Sequence, residues 1–149
     1  VQLAEVVQTS AYPYLNAEDM RLNVQVPGNL RVKADEVELA RVVSNLLENA
    51  RRYGKSKDAA YSEVEVVARA ESGYVLLQIF DRGSGVPEAI LHRLTQPFYR
   101  ADEARTSTAG SGLGLSIVKK VVEYMGGTLM LSNRKEGGLQ ADLRLPRVK

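Results

Sequence analysis

The sequence predicts an α+β domain, a two-layer sandwich of one mixed, mostly antiparallel sheet with helices on one face. Three observations lead there. Strand-like stretches gather near the two ends of the chain and around a central pair, joined as antiparallel hairpins. The longest helical stretch carries a single apolar arc, so one side packs and the other does not. No strand, crossover helix and second strand follow one another compactly, which sets aside a doubly wound parallel fold.

Each element has a local cause. Residues 1–10 place apolar side chains at 3, 6 and 7, a short amphipathic helix. Leu22-Asn23-Val24-Gln25-Val26 alternates and stops at Pro27-Gly28, a strand and turn. Leu30-Arg31-Val32-Lys33 reads as a second short strand. Asp35 or a neighbour caps a long helix, with Glu36 and Glu38 in the first turn, where negative charge suits the helix dipole. That helix runs to about Tyr53 and stops at Gly54. After a polar loop over 55–61, Glu63–Ala70 and Tyr74–Phe80 flank Glu71-Ser72-Gly73 as a hairpin. A turn at Asp81–Pro87 leads to a short helix at about 88–94. Residues 101–112 are small and polar, the stretch expected to move most. A helix over about 113–125 ends at Gly126-Gly127, and the strands Thr128–Ser132 and Leu139–Leu145 close the chain around Lys135-Glu136-Gly137-Gly138.

Composition bounds the function. The 149 residues suit one domain over 1–149, and 44% apolar with 26% charged residues is ordinary for a globular chain. A net charge of +2 is too mild to argue for nucleic acid as a partner. No apolar run is long enough to span a bilayer, and no signal peptide opens the sequence. Without cysteine there is neither a disulfide framework nor a thiolate metal site. The single histidine, His92, excludes multi-histidine metal chemistry. The chain begins at Val1 rather than Met, so a piece of a longer protein is expected.

Three elements carry candidate chemistry. On the long helix, Leu39, Val43, Leu46, Leu47 and Ala50 share one arc, while Asn45, Asn49 and Arg52 share another roughly 140° away. Asparagine is a middling helix former, because its amide competes for backbone hydrogen bonds. From the helix alone the Asn face is either hydrated or a platform for metal and phosphate: amide oxygens suit Mg²⁺, and a guanidinium suits phosphate. Asp81-Arg82-Gly83-Ser84-Gly85 follows a strand directly. It is either a plain turn or a carboxylate that accepts from the exocyclic amine of adenine, with glycines admitting a flat base. Gly110, Gly112 and Gly114 stand before a helix, either a hinge or a cradle in which free N–H groups meet phosphate oxygens. The spacing matches neither a P-loop nor a dinucleotide-binding fingerprint.

Their joint order resembles the ATP-binding catalytic domain of bacterial sensor histidine kinases, within the group shared with gyrase, Hsp90 and MutL. N-L-L-E-N-A-R-R-Y at 45–53 is similar to the N box, and D-R-G-S-G-V-P at 81–87 to the first glycine box. Q-P-F-Y-R at 96–100 resembles the F box, and G-S-G-L-G-L-S-I-V at 110–118 the second glycine box. The ending G-G-L-Q-A-D-L-R-L-P at 137–146 is similar to the last hairpin of the family. Within it, T-Q-P-F-Y-R-A-D-E-A-R-T looks nearest to the EnvZ-like osmosensor group.

The resemblance implies the Bergerat ATP-binding fold, with ATP and Mg²⁺ as its ligands. It implies that Asp81 binds the adenine amine, Asn49 ligates Mg²⁺, and Asn45 supports the same metal–phosphate site. Arg52 would reach phosphate and Tyr53 would pack near the nucleotide. Gly83, Gly85, Val86, Leu113 and Leu115 join the ATP-binding set. Gly110, Gly112 and Gly114 would hinge a lid over about 101–111, with Arg100 and Arg105 as phosphate contacts and Phe98 beneath. A glutamate matching Asn45 serves as general base in the ATP-hydrolysing relatives; an amide cannot, and Glu48 lies about 60° off the Asn face. The implied function is therefore transfer of the γ-phosphate to a histidine on a separate phosphoacceptor and dimerisation domain, with weak hydrolysis. His92, followed by Arg93, does not look like that acceptor. A response regulator would take part indirectly, and the setting implied is the cytoplasmic part of a bacterial inner-membrane sensor. The alternatives are a gyrase- or MutL-like ATPase clamp, or a non-catalytic nucleotide-binding module.

Overall fold

The computed structural model describes residues 1–54, 60–83, 85, 87, 91, 93–94 and 111–148, with backbone only at 53 and 111–114. Among the described residues, three α-helices cover one face of a five-stranded sheet: α1 (Leu3–Ala11), α2 (Glu36–Tyr53) and α3 (Ser111–Tyr124). The strands are β1 (Met20–Gln25), β2 (Ser62–Ala70), β3 (Tyr74–Phe80), β4 (Thr128–Asn133) and β5 (Leu139–Pro146). They lie in the order β1-β2-β3-β5-β4, parallel between β1 and β2 and antiparallel elsewhere. The α+β class and mixed sheet expected from sequence are those observed.

The long helix forms as its sequence dictates. The Asp35 carboxylate accepts from the Glu38 N–H at 2.9 Å, satisfying one of the four orphan donors of the first turn. Its apolar arc, Leu39, Val42, Val43, Leu46, Leu47 and Ala50, is buried against Val64 and Val66 of β2 and Leu77 and Ile79 of β3. Full burial of a leucine such as Leu47 stabilises by about 2 kcal/mol, and this arc carries such burial along about three turns. At its C-terminal end the buried Ser62 hydroxyl donates to the Arg51 carbonyl at 2.8 Å, and the Arg51 guanidinium meets both Asp19 oxygens at 3.0 Å. The last turn of α2 is thereby fixed to the β1–β2 side of the sheet.

Two expectations need correction. Leu30–Lys33 is not a strand: Arg31 and Val32 make single bridges to Gln2 and Arg147. The segment is extended, but it threads between the start of the chain and the end of β5, so no ladder can grow from it. The helix placed at about 113–125 begins two residues earlier, at Ser111. Only Gly110 therefore precedes it, while Gly112 and Gly114 lie in its first turn. A first turn lacks intrahelical partners for its N–H groups, so glycine costs less there than in a helix interior. Most of the short helix expected at about 88–94, with His92, lies outside the described residues.

Candidate nucleotide-binding site

Asp81 stands one residue beyond the end of β3 and is buried. Its N–H donates to the Leu139 carbonyl at 3.0 Å. Its Oδ1 accepts from the backbone N–H of Leu139 at 2.8 Å and of Gly83 at 3.0 Å. Among the described residues, no donor reaches Oδ2. A buried carboxylate with one oxygen held by two backbone N–H groups and the other open among the described residues fits a ligand that brings its own N–H. Burial raises the Asp81 carboxyl above its ordinary value, while the Leu139 and Gly83 N–H groups and the Arg134 charge pull the other way.

Glycines make room for that carboxylate. Gly54 has φ −92°, so it does not end α2 in the left-handed conformation that usually selects glycine after a helix. Its role is approach: a Cβ there would lie 2.5 Å from the Asp81 Cβ and 2.8 Å from its Cγ. Gly138, at φ +102°, backs onto Asp81 from the β4–β5 turn; a Cβ there would overlap the Asp81 carbonyl and stand 2.8 Å from Oδ1. Neither glycine was singled out from sequence as part of the site. The signal was present in both cases but read as a helix stop and an ordinary turn.

The contact between Gly54 and Asp81 also joins two of the sequence motifs. It sets the C-terminal end of α2, with Asn49 and Arg52, beside the aspartate–glycine turn. Asn45 is exposed, Asn49 half-buried and Arg52 exposed, all clear of the buried arc as the helical wheel requires. Arg52 is not free: its Nε lies 3.1 Å from Oε2 of Glu48. Glu48 also accepts from the Tyr14 hydroxyl at 3.0 Å and lies 3.7 Å from Arg51. Burial, then the Glu48 bond, raises the Tyr14 hydroxyl above its ordinary value. Glu48 is thus turned toward Tyr14 and two arginines.

On the third motif, α3 packs beside α2 and brings the backbone of Gly112, Leu113 and Gly114 into its first turn. Leu115 is half-buried against the core. Gly83 is buried and Gly85 half-buried in the aspartate turn. Tyr53 ends α2. Val86, Phe98, Arg100, Arg105, Gly110 and nearly all of the expected lid at 101–111 lie outside the described residues.

A cavity of about 470 Å³ opens on the other face of the sheet, between Arg21, Asn23, Tyr61, Glu65, Phe80 and Arg82. The Asp81 carboxylate does not line it. There Arg82 lies 3.2 Å from Glu63 and Arg21 is stacked 4.4 Å from the Tyr61 ring centre. Arg134 also lines the cavity.

Comparison with known proteins gives the family and the fold. A family model described as histidine kinase-, DNA gyrase B- and HSP90-like ATPase matches residues 34–149. The chain is 36% identical over 148 residues to the sensor histidine kinase GtrS of Pseudomonas aeruginosa, covering 99% of this chain and 29% of that protein. It is 31% identical over 136 residues to the sensor protein VanSC of Enterococcus gallinarum, covering 91% and 36%. Among solved structures, the mycobacterial sensor histidine kinase MprB matches with a TM-score of 0.83 at 30% identity, over 99% of this chain and 97% of that one. The histidine kinase domain of the E. coli osmosensor EnvZ matches with a TM-score of 0.71 at 31% identity, over 100% and 88%. The chain belongs to the family of histidine kinase-, DNA gyrase B- and HSP90-like ATPases. Within that family it is an ATPase domain of the sensor histidine kinase kind. The chain spans about a third of the length of the curated relatives it matches. Among the described residues, no helix is long and apolar enough to cross a membrane.

Proposed function

We propose that this domain binds Mg-ATP and passes the γ-phosphoryl group to a histidine on a separate phosphoacceptor and dimerisation domain of a two-component sensor. The observation that carries this reading is the buried Asp81, with Oδ1 held by two backbone N–H groups and Oδ2 open among the described residues. Adenine offers an amine donor to that oxygen, and Gly54, Gly83 and Gly138 leave space beside it. The triphosphate then runs toward the last turns of α2, where Asn45, Asn49 and Arg52 stand, and the N-terminus of α3 supplies free backbone donors.

The residues present fit magnesium of the phosphate-bound kind. Among the described residues no cluster of three or more Asp, Glu or His could hold a metal ion alone. The amide oxygen of Asn49, supported by Asn45, is the protein's contribution, and phosphates and water complete a magnesium shell. When bound, the ion neutralises charge on the phosphate oxygens. Arg52, once it leaves Glu48, adds a second positive charge to the same phosphates. The chain's own work is placement: Asp81 fixes the base, and the α2 face aligns the γ-phosphate for a histidine nitrogen to attack as ADP departs.

A clamp-type ATPase would need a general base on α2. Position 45 holds an amide, and Glu48 is occupied by Tyr14, Arg51 and Arg52. Hydrolysis by the isolated domain is therefore weak. The response regulator receives the phosphoryl group only after the acceptor histidine, and the domain works on the cytoplasmic side of a membrane-anchored sensor.

The test is to mix the domain with the histidine-bearing hairpin fragment and γ-labelled ATP. Label is expected on the hairpin, stable to base and labile to acid as a phosphohistidine is, with none on the domain alone. Free phosphate accumulating quickly with an unlabelled hairpin would overturn the reading in favour of an ATPase.

A further inference from the structure

We propose that Arg134 is a positioning residue of the nucleotide site, which it serves by holding the backbone of Asp81 from the far side of the sheet. The inference rests on the reading of Asp81 as the adenine contact. Arg134 follows β4, where an arginine would ordinarily extend into solvent. Its side chain is instead only 12% exposed. Nη1 donates to the Asp81 carbonyl at 2.8 Å, and the guanidinium lies 4.9 Å from the centre of the Phe80 ring. Nη2 reaches Glu136 at 3.3 Å, and the Arg134 N–H donates to the Gly138 carbonyl at 2.8 Å, closing the turn that carries it.

These contacts converge on one peptide unit. β3 ends at Phe80, so the Asp81 carbonyl has no place in the strand ladder, and Arg134 is its partner among the described residues. The hairpin that supplies Arg134 also supplies Leu139, whose N–H holds Oδ1. One turn therefore fixes both ends of Asp81: Leu139 holds the carboxylate and Arg134 holds the carbonyl. If the carbonyl is released, the peptide can rotate, and Oδ2 no longer points where the base amine would lie. The positive charge also favours the ionised carboxylate against its burial.

Base selectivity separates positioning from mere stability, because inosine carries a carbonyl where adenosine carries the amine. The experiment measures ADP and IDP affinity by calorimetry for the wild type, Arg134→Ala, Arg134→Lys and Asp81→Asn, with the melting temperature of each. Arg134→Ala is expected to lower the ADP-to-IDP preference about tenfold, the loss of one charge-assisted hydrogen bond. Arg134→Lys, which keeps a charge and a donor, is expected to recover part of it. An unchanged preference with only a lower melting temperature would make Arg134 structural and overturn the proposal. If Asp81→Asn also leaves the preference unchanged, the adenine reading itself fails; if Asp81→Asn removes it and Arg134→Ala does not, only the positioning role fails. Should Arg134→Ala not fold, Arg134→Gln is read in its place against the same outcomes.

Discussion

Asp81 and Arg52 stand at opposite ends of the candidate site and are held in different ways. Asp81 is buried, and backbone groups of Gly83 and Leu139 fix its Oδ1 within 3.0 Å. Arg52 is exposed, and its contact is a neighbouring side chain, Glu48, one turn back on the same helix. The first arrangement cannot be rearranged without disturbing the sheet. The second can change by rotating one side chain. On the proposed reading, the base-reading end is finished when the chain folds, while the phosphate end holds its arginine in a pair that a triphosphate can replace. A kinase of the proposed kind would gain from this division, since the base is common to every turnover but the γ-phosphate must be gripped and then released.

The largest expected effect comes from breaking the fixed end. Asp81→Asn keeps an oxygen for the two N–H groups but offers the base an amide donor where it needs an acceptor. ATP affinity should fall roughly a thousandfold, about 4 kcal/mol, since a site built for one hydrogen bond rejects its mismatch strongly. The domain should not be destabilised at neutral pH. Burial raises the folded-state pKa of this carboxyl above its ordinary 3.8, so the folded state holds the proton more tightly. Its contribution to stability is then fully present below 3.8 and lost as pH rises through the folded value. Replacing the charge should give an equal or higher melting temperature at pH 7, and the difference should vanish in acid. A variant that melts well below the wild type at pH 7 would mean that the carboxylate is structural.

Next in size is the wall behind it. Gly138→Ala puts a Cβ into the Asp81 carbonyl at a backbone φ of +102°, so both the turn and the aspartate must shift. A loss of about 3 kcal/mol is expected in urea denaturation, from backbone strain plus overpacking. ATP affinity should fall in the same variant, because Leu139 follows Gly138 directly and carries the N–H to Oδ1. Unchanged stability would show that the β4–β5 turn yields easily, and the contrast with α2 would weaken.

How far these features could be read in sequence depends on the distance over which they act. The apolar and polar arcs of α2, the Asp35 cap and the β2–β3 hairpin are local patterns, and each appears where its residues place it. The helical wheel and the aspartate–glycine turn offer Asn45, Asn49 and Asp81 as candidates, and the resemblance to histidine kinase domains implies their roles. The clamp on Asp81 was not legible, since Arg134 lies 53 residues beyond it and Leu139 58 residues beyond. Nothing in N-R-K-E-G-G distinguishes a solvent turn from one that grips a distant strand end. Gly54 misled in a similar way, because a glycine after a helix has a common local explanation. Leu30–Lys33 alternates like a strand, but a strand also needs a neighbour of matching length, and only single residues were in reach.

The smallest expected effect tests the adaptable end. Glu48→Gln removes the charge that holds Arg52 and Arg51 while keeping an oxygen for the Tyr14 hydroxyl at nearly the same place. Both ion-pair partners are more than a third exposed, at 35% for Glu48 and 38% for Arg52, so solvent screens the pair. The stability change should stay below about 0.5 kcal/mol, as for exposed pairs one helical turn apart. Affinity for ATP should remain the same or rise by up to about twofold, because Arg52 no longer has to leave a carboxylate before meeting phosphate. Its dependence on salt should also steepen, since a freed guanidinium is one more charge available to the triphosphate. Opposite results, with ATP binding weakened severalfold and stability lost by more than 1 kcal/mol, would show that Glu48 orients Arg52 for phosphate rather than withholding it. The α2 face would then be as firmly built as the aspartate turn, and the two ends of the site would differ only in burial.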